Sequence, residues 1–208
     1  MIASEMDSEP RSLRDPKVRA LRRKMLDLPH MIELKKFAEA LRSDDSVEVP
    51  DFDPLDGGVE AQLLFLFEKP GPLTSGRRDG KRSGSGFISR DNDDPTAEAV
   101  FNFMREAGIQ REITVLWNLI PRWNGTRAIT PMELREGSAR ATELIRLLSC
   151  LRAVVLVGKR AAMSRVRLDT LDIAVFTSLH PSPLVKARWP DRWSKISSDW
   201  RKAAALLA

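Results

Sequence analysis

From residue 59 onward, four short runs are apolar at nearly every position and are separated by stretches with helical periodicity. The runs at 62–67, 113–118, 153–157 and 173–178 are too short and too uniformly apolar to be amphipathic helices. Strands covered on both faces have this pattern, and they belong to parallel sheets with helices packed against each side. The segments between the runs predict helices at 95–107, 131–148, 159–163 and 191–207. Asp94-Pro95 places a capping side chain and an N1 proline at one helix start, and Thr130-Pro131 with Glu133 repeats the device. The expectation is an α/β sandwich with a four-stranded parallel sheet.

The segment before this pattern reads as basic and helical. Arg11, Arg14, Lys17, Arg19, Arg22, Arg23 and Lys24 are opposed only by Asp15, while Val18, Leu21, Met25 and Leu28 recur at helical spacing. Such a face can grip phosphate, or it can be a solvated face over an apolar stripe; both readings stand. A second helix at 31–41 carries Leu34, Phe37, Ala38 and Leu41 on one side. A stretch rich in Asp, Pro and Gly at 43–58 reads as a linker. The organisation is therefore a basic helical extension and linker at 1–58, followed by a domain at 59–208. Residues 74–89, rich in Gly, Ser and basic side chains, read as a mobile or ligand-ordered loop.

Composition removes several function classes. At 42% hydrophobic and 30% charged over 208 residues, the chain is no disordered tail. No apolar run approaches the roughly 20 residues that cross a bilayer, and the opening Met-Ile-Ala-Ser-Glu-Met-Asp lacks a signal-peptide core. A cytoplasmic monomer with no membrane partner is expected. Cys150 alone supports neither an intrachain disulfide nor an all-cysteine cluster, and His30 and His180 leave little for a metal to hold, so no metal and no other cofactor is expected. The 34 Lys and Arg against 29 Asp and Glu permit a polyanionic partner without requiring one.

Ligands of an open parallel sheet bind beyond the carboxyl ends of its strands. The four runs end in Glu68-Lys69-Pro70-Gly71-Pro72, Asn118-Leu119-Ile120-Pro121, Gly158-Lys159-Arg160 and His180-Pro181-Ser182-Pro183-Leu184, so polar groups converge on one edge. No Gly-x-x-x-x-Gly-Lys loop or Gly-x-Gly-x-x-Gly fingerprint supports a protein of free nucleotides.

His-Pro-Ser-Pro-Leu after the last strand, Asn at the end of the second and a Pro-Gly turn after the first resemble the uracil-DNA glycosylase superfamily, in the same chain order. The resemblance implies a three-layer α/β/α fold and removal of uracil from DNA by cutting its N-glycosidic bond, with no cofactor. It implies that Asn118 reads the uracil edge, a bidentate match worth about 1–3 kcal/mol by analogy with base readout. His180 would donate to the departing uracil anion, a role commonly worth about 10²–10³ in rate. Ser182 and Pro183 would form a rigid turn gripping phosphate, Leu184 would fill the space left by the flipped base, and Phe87 would stack on that base. Arg77, Arg78, Lys81 and Arg82 would approach phosphates. Each has a plainer alternative: a strand-end amide, a structural imidazole, a buried leucine, a core phenylalanine, a solvated charge run.

The best-known branch of that superfamily carries Gly-Gln-Asp-Pro-Tyr-His at its first motif, where Phe67, Glu68, Lys69, Pro70, Gly71 and Pro72 stand here. Glu68, Lys69 and Gly71 would then face the substrate. Lys69 cannot replace the aspartate that helps activate water, and Asp91 and Asp93 are the candidates for that carboxylate, with Asp94 assigned to the helix cap. Gly71 removes the tyrosine that excludes thymine. Two readings follow: a monofunctional glycosylase acting on DNA with uracil or related lesions, or a module that binds such DNA without hydrolysis.

Overall fold

The computed structural model describes residues 9–42, 48–71, 84–168 and 171–207. In chain order its elements are α1 (Pro16–Lys24), α2 (Ile32–Ala40), β1 (Asp51–Phe52), β2 (Leu63–Phe67), β3 (Phe87–Ile88), α3 (Pro95–Ala107) and β4 (Thr114–Asn118). There follow α4 (Pro131–Leu147), β5 (Ala153–Val157), α5 (Lys159–Ala162), α6 (Arg165–Leu168), β6 (Ala174–Ser178), α7 (Pro183–Arg188), α8 (Pro190–Trp193) and α9 (Ile196–Ala204). The four apolar runs form one parallel sheet in the order β4-β2-β5-β6. The fold is α/β with helices on both faces, as expected.

Side chains alternate across the sheet, so the register divides the core in two. Phe65, paired with Leu116 and Val155, meets Trp200 of α9 edge-on at 4.9 Å, and Phe103 of α3 packs on the same indole at 5.9 Å. Leu66, one residue on, pairs with Trp117, whose ring points to the other face and stacks on Phe52 at 3.8 Å. Phe37 of α2 closes that cluster at 6.3 Å. Leu13, Leu26, Met31 and Leu34 belong to the same continuous core as β2 and β5, so the N-terminal segment packs as part of one body with the sheet.

Two expectations need correction. The described part of the 43–58 stretch, from residue 48 on, contributes folded structure rather than a spacer: β1 pairs in parallel with β3, Asp51 opposite Phe87 and Phe52 opposite Ile88, and Val49 and Phe52 are buried. The single helix expected at 191–207 is instead α8, α9 and a final 3₁₀ turn, Ala205–Leu207, preceded by α7. Pro183 and Pro190 each start a helix at its first turn, where a missing N–H costs nothing. Asp94 and Thr130 cap α3 and α4 as read, the second through a reciprocal capping box with Glu133.

A buried ion cluster ties the N-terminal helix to the sheet. Arg22 of α1 donates to Asp53 and Asp91, both at 2.5 Å, and Arg111 donates to the same carboxylates at 2.6 and 2.8 Å. Arg111 Nε also lies 3.1 Å from Asp56, and Arg90 joins at 3.7 Å. Burial alone would raise Asp53, but Arg111 and Arg22 outweigh it and hold that carboxyl below its ordinary value. Asp56 is met less closely; burial, reinforced by Asp53 and Asp91, pushes it up to about 7.

Candidate active site

The strand register brings the polar strand ends together. Phe67 pairs with Asn118, and the ladder continues past both strands, with Leu119 N–H donating to Phe67 O at 2.8 Å and Ile120 N–H to Glu68 O at 2.9 Å. Across the sheet Val157 pairs with Ser178, and Gly158 N–H donates to Ser178 O at 2.9 Å, which sets His180 two residues beyond. A cavity of about 1140 Å³ opens here, lined by Glu68, Gly71, Asn118 and His180 together with Asp94, Arg127, Ser182, Pro183 and Leu184. Pockets for a free small molecule commonly hold about 300–1,000 Å³. This one lies beyond that range, which suits part of a larger substrate.

Two close approaches shape the rim. Gly158 has φ +103°, and a Cβ there would lie 2.5 Å from Glu68 Oε1, the atom that accepts Arg160 N–H at the start of α5. The positive φ calls for a glycine, while the Glu68 carboxylate, the end of a flexible side chain, can shift. Gly137 lets α4 approach the backbone of Leu119, whose carbonyl would be 2.2 Å from an added Cβ. The helix thus packs directly behind the residue that follows Asn118.

Asn118 and His180 share a property that separates them from structural residues nearby. Asn118 is buried in the cavity wall, yet its amide makes no hydrogen bond to any described residue, and neither does the His180 ring. Asn92 also lines the cavity but is fully occupied: its Nδ2 donates to Phe87 O at 2.9 Å and its Oδ1 accepts the Ser85 hydroxyl at 2.5 Å. The Asn118 oxygen and nitrogen are not sealed from solvent, so the amide is open to the cavity and available to a ligand edge. His180 stands edge-on to Phe67, with ring centroids 6.1 Å apart. Burial holds the imidazole below its ordinary pKa, and Arg127 acts in the same sense against the opposing pull of Glu68 and Asp94. At neutral pH the ring is uncharged and offers one N–H donor.

Other expected residues fall elsewhere. Phe87 is in β3, 1% exposed, and is a core residue; Phe67 and Trp189 are aromatic side chains that line the cavity instead. Asp91 is fully buried in the ion cluster, and Asp93 is paired with Arg11 at 3.4 Å, so neither lines the cavity. The carboxylates that do are Glu68, Asp94 and Asp199, the last of them paired with Lys202. Lys69 lines the cavity, but its ammonium donates to Ala128 O at 2.9 Å and Glu133 at 2.8 Å, fastening the first motif to the start of α4. Leu184 is 81% exposed and is therefore no core leucine. Ser182 caps α7 through a long contact with Val185 N–H, 3.4 Å. No described residue lies within 4 Å of the Gly71 Cβ direction. Pro72, Arg77, Arg78, Lys81 and Arg82 lie outside the described residues, as does 74–83 of the basic loop.

Sequence reading missed Arg127, Trp189, Arg192 and Lys195, all of which line the cavity. The last three recur every third residue after His-Pro-Ser-Pro-Leu, a spacing that could have flagged them. Among the described residues no helix is long and apolar enough to cross a membrane, and no three His, Cys, Asp or Glu side chains are grouped to hold a metal. No curated protein is similar enough to the chain to match it. The family model described as the uracil DNA glycosylase superfamily matches residues 56–204, a span that starts at the buried Asp56, takes in all four strands of the sheet and runs to the end of α9. With the first and last motif converging on one cavity over that span, the chain belongs to the uracil DNA glycosylase superfamily.

Proposed function

We propose that the chain is a monofunctional glycosylase that hydrolyses the N-glycosidic bond of uracil, and of related deaminated bases, in DNA. The observation that carries the reading is the pair of unpartnered side chains, Asn118 and His180, facing one cavity at the carboxyl edge of the sheet. A base within a duplex is out of reach, so the nucleotide is extruded at a cost of a few kcal/mol. Asn118 then accepts the uracil ring N–H with its oxygen and donates to the adjacent carbonyl, a pattern that cytosine reverses. As the bond lengthens, positive charge gathers on the sugar and negative charge on uracil. His180, neutral and preorganised, donates to the anionic oxygen, and the Arg127 charge nearby favours the same anion.

Leu184 at the second position of α7 is placed to enter the gap left by the flipped base, with Ser182 and Pro183 at the phosphate. Action as a monomer on DNA, in the cytoplasm, is part of the same proposal. A duplex carrying a single uracil, incubated with the pure protein and then treated with alkali, tests the reading. Strand breakage is the expected result. Tight binding of the uracil duplex without breakage would identify a recognition module instead.

Base range follows from Gly71. No described residue lies within 4 Å of its Cβ direction and its backbone lies outside the left-handed region, so no described residue blocks an added side chain. We expect the wild type to accept bases bulkier than uracil, and Gly71→Tyr to lose activity on those bases at least about tenfold more than on uracil, a discrimination of roughly 1.4 kcal/mol. Parallel initial rates on uracil and on larger deaminated bases, with a melting curve for each protein, measure this. A wild type confined to uracil would place the gate at another residue.

A further inference from the structure

Asp91 and Asp93 do not line the cavity, and Lys69 is held by Glu133, so the source of the nucleophile is open on this chain. We propose that Asp94, the side chain that caps α3, is the base that takes the proton from the attacking water; the proposal rests on the glycosylase reading. The cap uses only half of the carboxylate. Thr96 N–H and Ala97 N–H both donate to Oδ1, at 2.9 and 3.0 Å, and Oδ2 makes no hydrogen bond to any described residue. That free oxygen belongs to a residue of the cavity wall shared with Asn118 and His180, close enough to His180 for the two to interact electrostatically.

Two other carboxylates line the cavity. Asp199 is paired with Lys202 on α9; Glu68, like Asp94, engages a single oxygen, on Arg160 N–H, and is therefore the rival that the test must separate from Asp94. The proposed step balances: the N-glycosidic electron pair leaves with uracil N1, the water oxygen bonds to the sugar carbon, and the water proton passes to Asp94 Oδ2. Solvent then takes that proton and returns one to the uracil anion. Partial burial holds the Asp94 carboxyl above its ordinary pKa, which makes it a better base than a solvated aspartate. Asp93 acts in the same sense, while the cap N–H groups and Arg11 oppose it. His180 lines the same cavity, and Glu98 is paired with Arg11.

The test compares single-turnover uracil excision by wild type, Asp94→Asn, Asp94→Ser and Glu68→Gln. Asparagine and serine both cap helices well, so the two Asp94 variants should keep the wild-type melting temperature and DNA affinity. Their excision rate should fall at least about tenfold, below the usual 10²–10⁴ of general-base catalysis because water is barely bonded in a dissociative transition state. The wild-type rate should decline as pH falls through the Asp94 carboxyl, and that acid limb should vanish in Asp94→Asn. Excision by Asp94→Asn within twofold of wild type overturns the proposal. So does a loss that tracks a fall in melting temperature, which marks a cap alone, or an acid limb that disappears in Glu68→Gln but survives in Asp94→Asn. A wild type inert on every base overturns the glycosylase reading along with it, whereas the other outcomes leave that reading standing.

Discussion

Replacing His180 with alanine should lower single-turnover excision of uracil by about 10²–10³-fold, the usual effect of deleting one preorganised donor to a developing oxyanion. Affinity for uracil-containing DNA should stay within a few-fold, because the donor acts mainly on charge that exists only in the transition state. The fold should tolerate the change. His180 hydrogen-bonds to no described residue, and its ring packs T-shaped with Phe67, so its loss orphans no hydrogen-bond partner among the described residues. A chemical quench assay with a filter-binding titration separates the two quantities. Turnover near wild type would remove His180 from the mechanism, and equal losses in binding and turnover would make it a ground-state contact. His180→Gln adds a control: an amide N–H can restore part of the donor without the imidazole ring, so partial recovery over alanine is expected.

The parts of this fold that could be read from the sequence are those whose cause is local. Four uniformly apolar runs became four parallel strands, to within a residue at each start, because burial on both faces writes itself into every position of a strand. Asp94-Pro95 and Thr130-Pro131 gave true helix starts for the same reason. Asn118, His180, Glu68 and Gly71 were visible because each sits just after such a run, where the sheet must deliver it to the cavity. Residues whose surroundings are set by distant partners were misread. Phe87 and Asp91 take their environments from β1 and from Arg22, tens of residues away, and two-residue strands such as β1 carry no periodicity to detect. Asp94 was half read, since its cap is local and its place in the cavity wall is not. Arg127 gave no signal at all, being a polar residue in a polar loop.

Arg22→Met should be the most destabilising single change in the molecule outside the apolar core, costing about 3–5 kcal/mol, the range for removing one partner of a buried ion pair. Methionine nearly fills the volume, so the loss reports charge rather than a cavity. Six side chains share the cluster: Arg22, Arg90 and Arg111 against Asp53, Asp56 and Asp91. Without Arg22 the cluster gains net negative charge in a buried place, and Arg111 is the one described cation still paired with Asp53 and Asp91, with the Ser89 hydroxyl and Leu55 N–H also donating to Asp53. Asp56, already pushed up to about 7, is partly protonated at neutral pH and can lessen the excess charge only by taking up more of a proton. Against a total stability of about 5–15 kcal/mol for a typical domain, such a loss is large. The span matched by the family model begins at residue 56 and so holds Asp91 and Arg111 but neither Arg22 nor Asp53. The 85–94 segment would be affected first: Leu13 N–H donates to Asp91 O at 3.1 Å, Arg11 pairs with Asp93, and Ser89, Asn92 and Asp94 of the same segment line the cavity. Urea unfolding at pH 7 should show a lower midpoint with an unchanged slope. Adding Asp91→Asn to Arg22→Met should recover part of the loss, since it removes one of the two orphaned charges. A midpoint shift worth less than about 1 kcal/mol would mean that Arg111 alone satisfies both carboxylates, and that the N-terminal helix is held by its apolar contacts rather than by Arg22.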